Sequence, residues 1–277
     1  RAVRTGDDTA YFVPLFRDIV WSYYKKHKRF FAWRNTDNPY HVVVSELMLQ
    51  QTQTQRVAEK FPLFLQKFPT FKILADAPTA AVISAWVGLG YNRRALALQG
   101  IAQKVVYGYQ GLLPDDPLVL VAWKGLGPAT AASIIAFAFN KPTVFIETNI
   151  RAVYLHAFFN GQEKIHDKEL MPLITASVDY ENPREWYYAL MDCGVLLKRL
   201  YKNPSRKSRH HAKQSKFEGS DRQLRGAVIR LLSKQGTVTQ QEIDGLCGDV
   251  DRLEKITQSL CKEGFVVVCN GVYSLAQ

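Results

Sequence analysis

Apolar residues recur at helical spacing through most of the first 212 residues of the chain. From Val42 to Phe68 apolar residues stand at helical spacing, which predicts a helix over this run. Strand-like alternation is scarce between about Phe12 and Ala212, so this region is predicted to be built from helices. Further helices are predicted over Asp76–Trp86, Leu96–Tyr109, Leu118–Lys124 and Pro128–Phe139.

The pattern of the chain changes near residue 220. Thr239 and Glu242 stand three positions apart, as in a capping box, and so predict the start of a helix. Two β-rich runs flank Asn270-Gly271, a pair that favours a two-residue hairpin turn. Helices are predicted over Arg222–Gln235 and Val250–Glu263. Helices followed by a hairpin predict a winged-helix-like domain, which can read DNA or dock a protein.

The chain is basic and lacks the marks of a membrane or secreted protein. Its net charge of +11, from 36 basic and 25 acidic residues, favours a polyanionic partner such as nucleic acid. No apolar run approaches the ~18 residues that span a bilayer, and the first residues lack a secretory pattern. We therefore expect no membrane partner. The four cysteines lack metal-site spacing and predict reduced thiols: Cys193, Cys247, Cys261 and Cys269.

Gly125-Leu126-Gly127 separates two of the predicted helices. Two glycines permit a tight turn whose backbone N–H groups, with a helix N-terminus behind them, can bind a phosphate. Such a turn alone is more often a plain connector. Three further motifs accompany it: SELMLQQTQ at 45–53, WVGLGY at 86–91 and IETNIR at 146–151.

In order and spacing these motifs resemble the MutY-type adenine DNA glycosylases of the helix-hairpin-helix superfamily, which also includes endonuclease III. The resemblance runs from about Phe31 to Gly194. It implies a mainly α, two-lobed helix-hairpin-helix DNA glycosylase fold, in which a flipped-out nucleotide is bound at a cleft. The domains expected are a second helical lobe at 1–36 and 150–216, a six-helix lobe with the hairpin at 37–149, and the winged-helix-like domain at 220–277.

The resemblance assigns three catalytic residues. Glu46 matches the acid that protonates the departing purine, a role that needs a raised pKa. Glu147 stands where the family carries an Asp that stabilises the positively charged sugar. Because Glu is one methylene longer, it implies a reshaped pocket, a slow enzyme or an inactive one. Asn149 matches the family residue that helps hold the sugar and this carboxylate.

The resemblance and the charge pattern also predict DNA contacts. Gln50 and Gln51 match polar residues that approach the opened duplex, and Tyr91 matches an aromatic at the pocket entrance. Lys124, Gly125 and Gly127 are expected at the DNA backbone. Residues 198–216 hold eight Lys or Arg, two His and no acid, which predicts phosphate contacts or a solvated linker. The contacts expected here are Lys198, Arg199, Arg206, Lys207 and Arg209.

The chain departs from the family in three ways. Ala129 occupies the position of the lyase Lys of some relatives and of an aromatic in many adenine glycosylases, which predicts a monofunctional enzyme and leaves the target base open. The motif for a [4Fe–4S] cluster aligns with Lys198, Ser205, Ser208 and about Gln214, so no cluster is expected. A monovalent cation at the hairpin is compatible with this expectation. Typical adenine glycosylases end in a Nudix-like domain that helps read 8-oxoguanine, whereas a winged-helix-like domain is expected here, so this reader is expected to be missing or replaced.

We therefore expect a monomeric DNA repair glycosylase that removes a mispaired or damaged base from double-stranded DNA and leaves an abasic site. Adenine in a mismatch is the first expectation for the base, followed by mismatched thymine or uracil or another damaged base. The alternative is a non-catalytic lesion-binding protein, which the Asp-to-Glu change favours and the retained Glu46 and Asn149 oppose. The location expected is cytoplasmic at a bacterial nucleoid, or nuclear in a eukaryote.

Overall fold

A computed structural model describes residues 6–211 and 216–277 of the chain, which form two compact units. Unit 1 draws on the described residues up to Val42, on Asp115–Ala122 and on residues 126–211. Unit 2 draws on Val43–Pro114, Trp123–Gly125 and the residues from 216 to the C-terminus. Within the described ranges, no helix is both long enough and apolar enough to cross a membrane.

Helices dominate both units, and the few strands lie near the C-terminus. The helices of the first 211 residues are α1 (Gly6–His27), α2 (Pro39–Leu49), α3 (Thr54–Lys67), α4 (Phe71–Ala75), α5 (Thr79–Trp86), α6 (Arg93–Gln103), α7 (Pro117–Val121), α8 (Pro128–Phe139), α9 (Thr148–Phe158), α10 (Asp167–Ser177) and α11 (Pro183–Leu200). They are followed by α12 (Asp221–Gln235), β1 (Thr237–Thr239), α13 (Gln240–Asp244), α14 (Val250–Lys262), β2 (Val266–Cys269) and β3 (Val272–Leu275). Short 3₁₀ or π turns occur at Ala32–Arg34, Lys104–Gly108 and Pro204–Lys207.

Unit 1 is organised around the pairing of α9 with α11, against which α1 also packs. Phe16 of α1 contacts Tyr154 of α9 with ring centroids 5.1 Å apart, and Trp186 of α11 edge-on at 6.0 Å. The buried Asp192 of α11 accepts from the guanidinium of Arg34 at 2.9 Å and 3.0 Å. Removing either partner of such a buried pair leaves an uncompensated charge, so this pair fixes the segment that precedes α2 onto α11.

In unit 2, the core of the C-terminal domain continues into the helices of the earlier segment. Ile83 of α5 belongs to the same buried cluster as Val228 of α12 and Leu253 of α14. The strands form an antiparallel sheet in the order β1-β3-β2. The predicted winged-helix-like domain is therefore confirmed as three helices and a small sheet.

The turn and the helix cap that the sequence predicts in this domain are both present in the structure. The hairpin turn has Asn270 at φ 51° and Gly271 at φ 74°, the left-handed backbone that this pair favours. Thr239 and Glu242 form the reciprocal capping box of α13. Strand β1, only three residues long, was not predicted, because its pairing with β3 rather than its own pattern defines it.

The prediction of one helix from Val42 to Phe68 was wrong. The chain breaks between α2 and α3, where Gln51 adopts a left-handed φ of 54°. The predicted helix Asp76–Trp86 likewise begins only at Thr79, with Pro78 in extended backbone before it. Apolar spacing continues across both breaks, so periodicity alone does not reveal them.

The shared core of unit 2 gives a test of stability. Ile83→Ala removes a fully buried side chain and leaves a cavity, so we expect the free energy of unfolding to fall by about 2–5 kcal/mol. Ile73→Ala is the matched control, since Ile73 is 48% exposed, and should change it by less than about 0.5 kcal/mol. Equal effects of the two variants in chemical denaturation would contradict this packing.

Candidate active site

Glu147 is the N-cap of α9, and its carboxylate is held on both oxygens. Oε1 accepts the backbone N–H of Asn149 at 2.7 Å and that of Ile150 at 2.9 Å. Oε2 accepts from Nδ2 of Asn149 at 3.3 Å. These bonds satisfy amide groups that a helix N-terminus otherwise leaves without partners. The longer side chain is therefore fixed against its own helix.

The electrostatic setting of Glu147 combines burial with positive groups. Burial raises the pKa of this carboxyl, while the amides of Ile150 and Asn149 and the charge of Lys198 oppose the rise. Lys198 of α11 donates from Nζ to Oδ1 of Asn149 at 2.8 Å. Burial lowers the pKa of Lys198, and Glu147 opposes that shift. Lys198, Asn149 and Glu147 thus form one hydrogen-bonded chain.

Gly194 allows α11 to approach α9 closely beside these hydrogen-bonded side chains. A Cβ at position 194 would lie 2.5 Å from the backbone oxygen of Asn149 and 2.6 Å from its Cβ. Real Cβ atoms do not approach so closely, because interiors are already packed to crystal density. The glycine of the Met191-Asp192-Cys193-Gly194 stretch therefore serves close packing next to a predicted catalytic residue.

The positions matched to a [4Fe–4S] cluster do not fit one. Lys198 bonds Asn149, and the hydroxyl of the buried Ser205 donates to Oδ1 of Asn203 at 2.6 Å. Ser208 is also buried and accepts the backbone N–H of His210 at 3.0 Å. These amine and hydroxyl groups cannot replace thiolate ligands. The fourth matched position, Gln214, lies outside the described residues.

Residues 207–209 of the predicted basic segment are anchored through their backbone. The N–H of Ile165 donates to the carbonyl of Lys207 at 3.0 Å, and the N–H of Arg209 donates back to Ile165 at 2.9 Å. The side chains of Arg199, Arg206 and Arg209 are exposed, whereas Lys207 is half-buried. Lys198, predicted as a phosphate contact, donates to Asn149.

The remaining predicted residues lie mostly in unit 2. Glu46 is half-buried on α2. Gln50 donates from Nε2 to the carbonyl of Gly125 at 3.2 Å. Gln51 and Tyr91 are exposed and have left-handed φ values of 54° and 47°. Such strained backbone in residues other than glycine is typical of functional sites.

The sequence analysis did not identify Arg94, whose side chain binds the loop that follows α2 and the loop that follows α5. Its side chain is buried, and burial lowers its pKa to about 10. Nη1 donates to the carbonyls of Leu47, Met48 and Gln50 at 2.7–2.8 Å, and so satisfies the end of α2. Nη2 donates to the carbonyls of Leu89 and Gly90, at 3.1 and 2.8 Å. The sequence gives no signal for this role, since an Arg-Arg pair reads as a charged helix surface.

The hairpin motif joins α7 to α8. Gly125 has a φ of 94°, and a Cβ there would lie 2.6 Å from Cβ of Ala97, so glycine is required twice over. Gly127 is the N-cap of α8, whose first turn carries Pro128. Lys124 and Ala129 are exposed on either side of the turn.

Comparison with known proteins agrees with this geometry. Residues 44–176 match the HhH-GPD superfamily base excision DNA repair protein model. An adenine DNA glycosylase of Mycobacterium tuberculosis is 27% identical over 275 residues, which cover 90% of this chain and 88% of that protein. The human adenine DNA glycosylase is 32% identical over 66% of this chain but only 36% of its own length. For the Buchnera aphidicola (Baizongia pistaciae) enzyme, at 28% identity over 66% of this chain, the match spans about half the relative, 52%.

Solved structures share the fold. A thermostable thymine-DNA glycosylase matches with a TM-score of 0.60 at 23% identity, over 68% of this chain and 88% of the other. An endonuclease III in a non-covalent DNA complex matches with a TM-score of 0.54 at 16% identity, over 65% and 84%. Residues 44–176 therefore form a domain of the HhH-GPD superfamily of base excision DNA repair proteins. The predicted fold class and family are confirmed.

The contact at Gly194 leads to a prediction of opposite signs for two helical glycines. Gly194→Ala forces Asn149 away, so we expect the free energy of unfolding to fall by about 1–3 kcal/mol. Gly100→Ala on α6 meets nothing within 4 Å and should raise it by about 0.5–1 kcal/mol through helix propensity. Urea unfolding of both variants measures the difference, and a neutral Gly194→Ala would refute the close approach.

Proposed function

We propose that this protein is a monofunctional DNA glycosylase that hydrolyses the N-glycosidic bond of a mispaired adenine in double-stranded DNA. The observation that carries the proposal is the carboxylate of Glu147, fixed at the N-terminus of α9 by Asn149 and Ile150. The names of the curated relatives support adenine as the base. The product is an abasic site.

Glu147 stabilises the positive charge that develops on the sugar as the bond to the base breaks. A carboxylate fixed before the reaction acts without the cost of reorganisation, which makes electrostatic stabilisation effective. Asn149 donates to that carboxylate from its backbone N–H and from its side-chain amide. Lys198 in turn donates to the side-chain oxygen of Asn149. The same carboxylate can orient the attacking water. Family resemblance assigns to Glu46 the protonation of the departing base, which makes the base a better leaving group.

The hairpin and the loops of unit 2 are assigned to DNA binding. Gly125, Gly127 and Lys124 contact a phosphate through outward amides and an exposed amine. The opened duplex is contacted by Gln50, Gln51 and Tyr91. Ala129 offers no amine for a Schiff base, which supports hydrolysis without strand cleavage. The chain acts as a monomer where DNA is found, at the nucleoid of a bacterium or in a nucleus.

The donor set at residues 198–208 supports a protein without an iron–sulfur cluster. Lys198, Ser205 and Ser208 occupy matched ligand positions and are hydrogen-bonded within unit 1. We therefore expect the purified chain to be active without iron. A monovalent cation at the hairpin remains compatible with this assignment.

The experiment that tests the function is single-turnover cleavage of a panel of duplexes, followed by alkali to reveal abasic sites. The panel holds adenine opposite guanine and 8-oxoguanine, thymine and uracil opposite guanine, hypoxanthine, and alkylated bases. Alkali-dependent breaks at adenine, abolished in Glu147→Gln and Glu46→Gln, are expected. Breaks at another base would change the substrate, whereas tight binding with no abasic site would favour the lesion-binding alternative.

The chain of Lys198, Asn149 and Glu147 predicts a pH dependence. Glu147 acts ionised, so activity should be lost as the pH falls through its pKa, which burial raises above the ordinary value. The charge of Lys198 lowers that pKa. Removing the charge in Lys198→Met therefore raises the pKa further and moves the acidic limb of the single-turnover rate to higher pH.

Two variants separate this electrostatic effect from simple damage. Lys198→Arg keeps the charge and should leave the acidic limb near its native position, even if the rate falls. Lys168→Met removes an exposed charge from α10 and should change neither. An unchanged limb in Lys198→Met would show that Lys198 does not act on Glu147.

A further inference from the structure

A cavity of about 760 Å³ lies within unit 2, beside the predicted DNA-facing loops. Its walls come from one face of α12, from the loops that follow α2 and α5, and from the start of α6. Among the described residues that line it are six arginines and no Asp or Glu. The arginines are Arg56, Arg93, Arg94, Arg222, Arg225 and Arg230.

These arginines divide into two groups by their partners. Arg94 is consumed by backbone carbonyls, and Arg93 and Arg225 both pair with Glu263, at 2.6 Å and 2.8 Å. Glu263 itself is held ionised, since the bond from Arg93 helps lower its pKa to about 2. This group builds the wall of the cavity.

The second group presents its charge to the cavity. Arg56 and Arg230 are exposed, and within the described part of the chain no salt bridge joins either to a carboxylate. Arg222 donates to the hydroxyl of Tyr91 at 2.8 Å and so ties α12 to a DNA-facing loop. A concave surface with several guanidiniums and no acid favours a ligand with repeated negative charge.

Gly226 gives a second, independent indication. It lies inside α12 and lines the cavity between Arg222 and Arg230, where a Cβ would meet nothing within 4 Å. Glycine in a helix interior costs about as much as any ordinary residue can, and no neighbouring protein atom requires it here. Because Gly226 has no side chain, the surface of α12 leaves space at this point of the cavity, and a ligand backbone can approach it closely.

The neighbours of the cavity identify the ligand. Gln51 and Tyr91, which the family resemblance places at the opened duplex, line it together with Phe217, whose side chain is 57% exposed. Amides, rings and guanidiniums are the groups that contact opened nucleic acid. We propose that this cavity binds the sugar-phosphate backbone of DNA, so that α12 of the winged-helix-like domain extends the DNA-binding surface of unit 2. The proposal rests on the proposed function in that the DNA is the substrate duplex.

The experiment measures duplex binding by fluorescence anisotropy over a range of salt concentrations, with Glu147→Gln as the background so that no cleavage occurs. Arg56→Gln and Arg230→Gln should each weaken binding on every duplex and lower the slope of log Kd against log salt by about 1. The double variant should lower it by about 2. Lys67→Gln and Lys234→Gln remove one charge from the same two helices outside the cavity and should leave the slope unchanged.

A steric variant tests the glycine. Gly226→Leu adds a good helix former in open space, so the melting temperature should not fall, while its side chain should obstruct the backbone and weaken duplex binding. Native slopes in the double arginine variant, or native binding by a folded Gly226→Leu protein, would overturn the inference. Abasic product is scored separately, in the protein that keeps Glu147. Slope losses in the binding assay with no abasic product from that protein would reject the proposed function and keep this inference, and abasic product with native slopes would do the reverse.

Discussion

The geometry of the predicted catalytic residues in unit 1 depends on how closely α11 approaches α9. At Gly194 there is no room for one additional carbon atom, because the backbone oxygen and the Cβ of Asn149 occupy it. This approach allows Lys198, one helical turn further along α11, to reach Asn149. Asn149 in turn donates to the carboxylate of Glu147. The position of a reactive group is thus set by a contact that carries no chemistry.

In unit 2 two loops are positioned by a buried cation, the side chain of Arg94, rather than by a glycine that permits close packing. The loops after α2 and α5 contain backbone carbonyl groups that face the interior. Such buried groups need hydrogen-bond partners. Arg94 donates to them from both of its terminal nitrogens, and its planar guanidinium serves several acceptors at once. Burial of a cation is tolerated because these oxygens replace water. The strained backbone at Gln51 and Tyr91 persists beside this anchor.

Some features could be predicted from the sequence because the responsible groups are neighbours along the chain. The Asn270-Gly271 turn, the capping box at Thr239 and the hairpin glycines depend on local backbone preferences, and all are found. The break between α2 and α3 depends on Arg94, more than 40 residues away, and no local pattern announces it. The contact between Lys198 and Asn149 has no local signal for the same reason, since the two residues are 49 positions apart.

The replacement of Asp by Glu at position 147 need not weaken the site. An Asp at an N-cap reaches the helix amides directly, and a Glu has one more rotatable bond to restrain. Here Oε1 is held by two amides and Oε2 by the side chain of Asn149, so the extra rotation is already suppressed in the folded protein. Lys198 contacts the side-chain oxygen of Asn149, at a position that the family resemblance matches to a cluster ligand. The two departures from the family pattern, at positions 147 and 198, therefore contact the same asparagine.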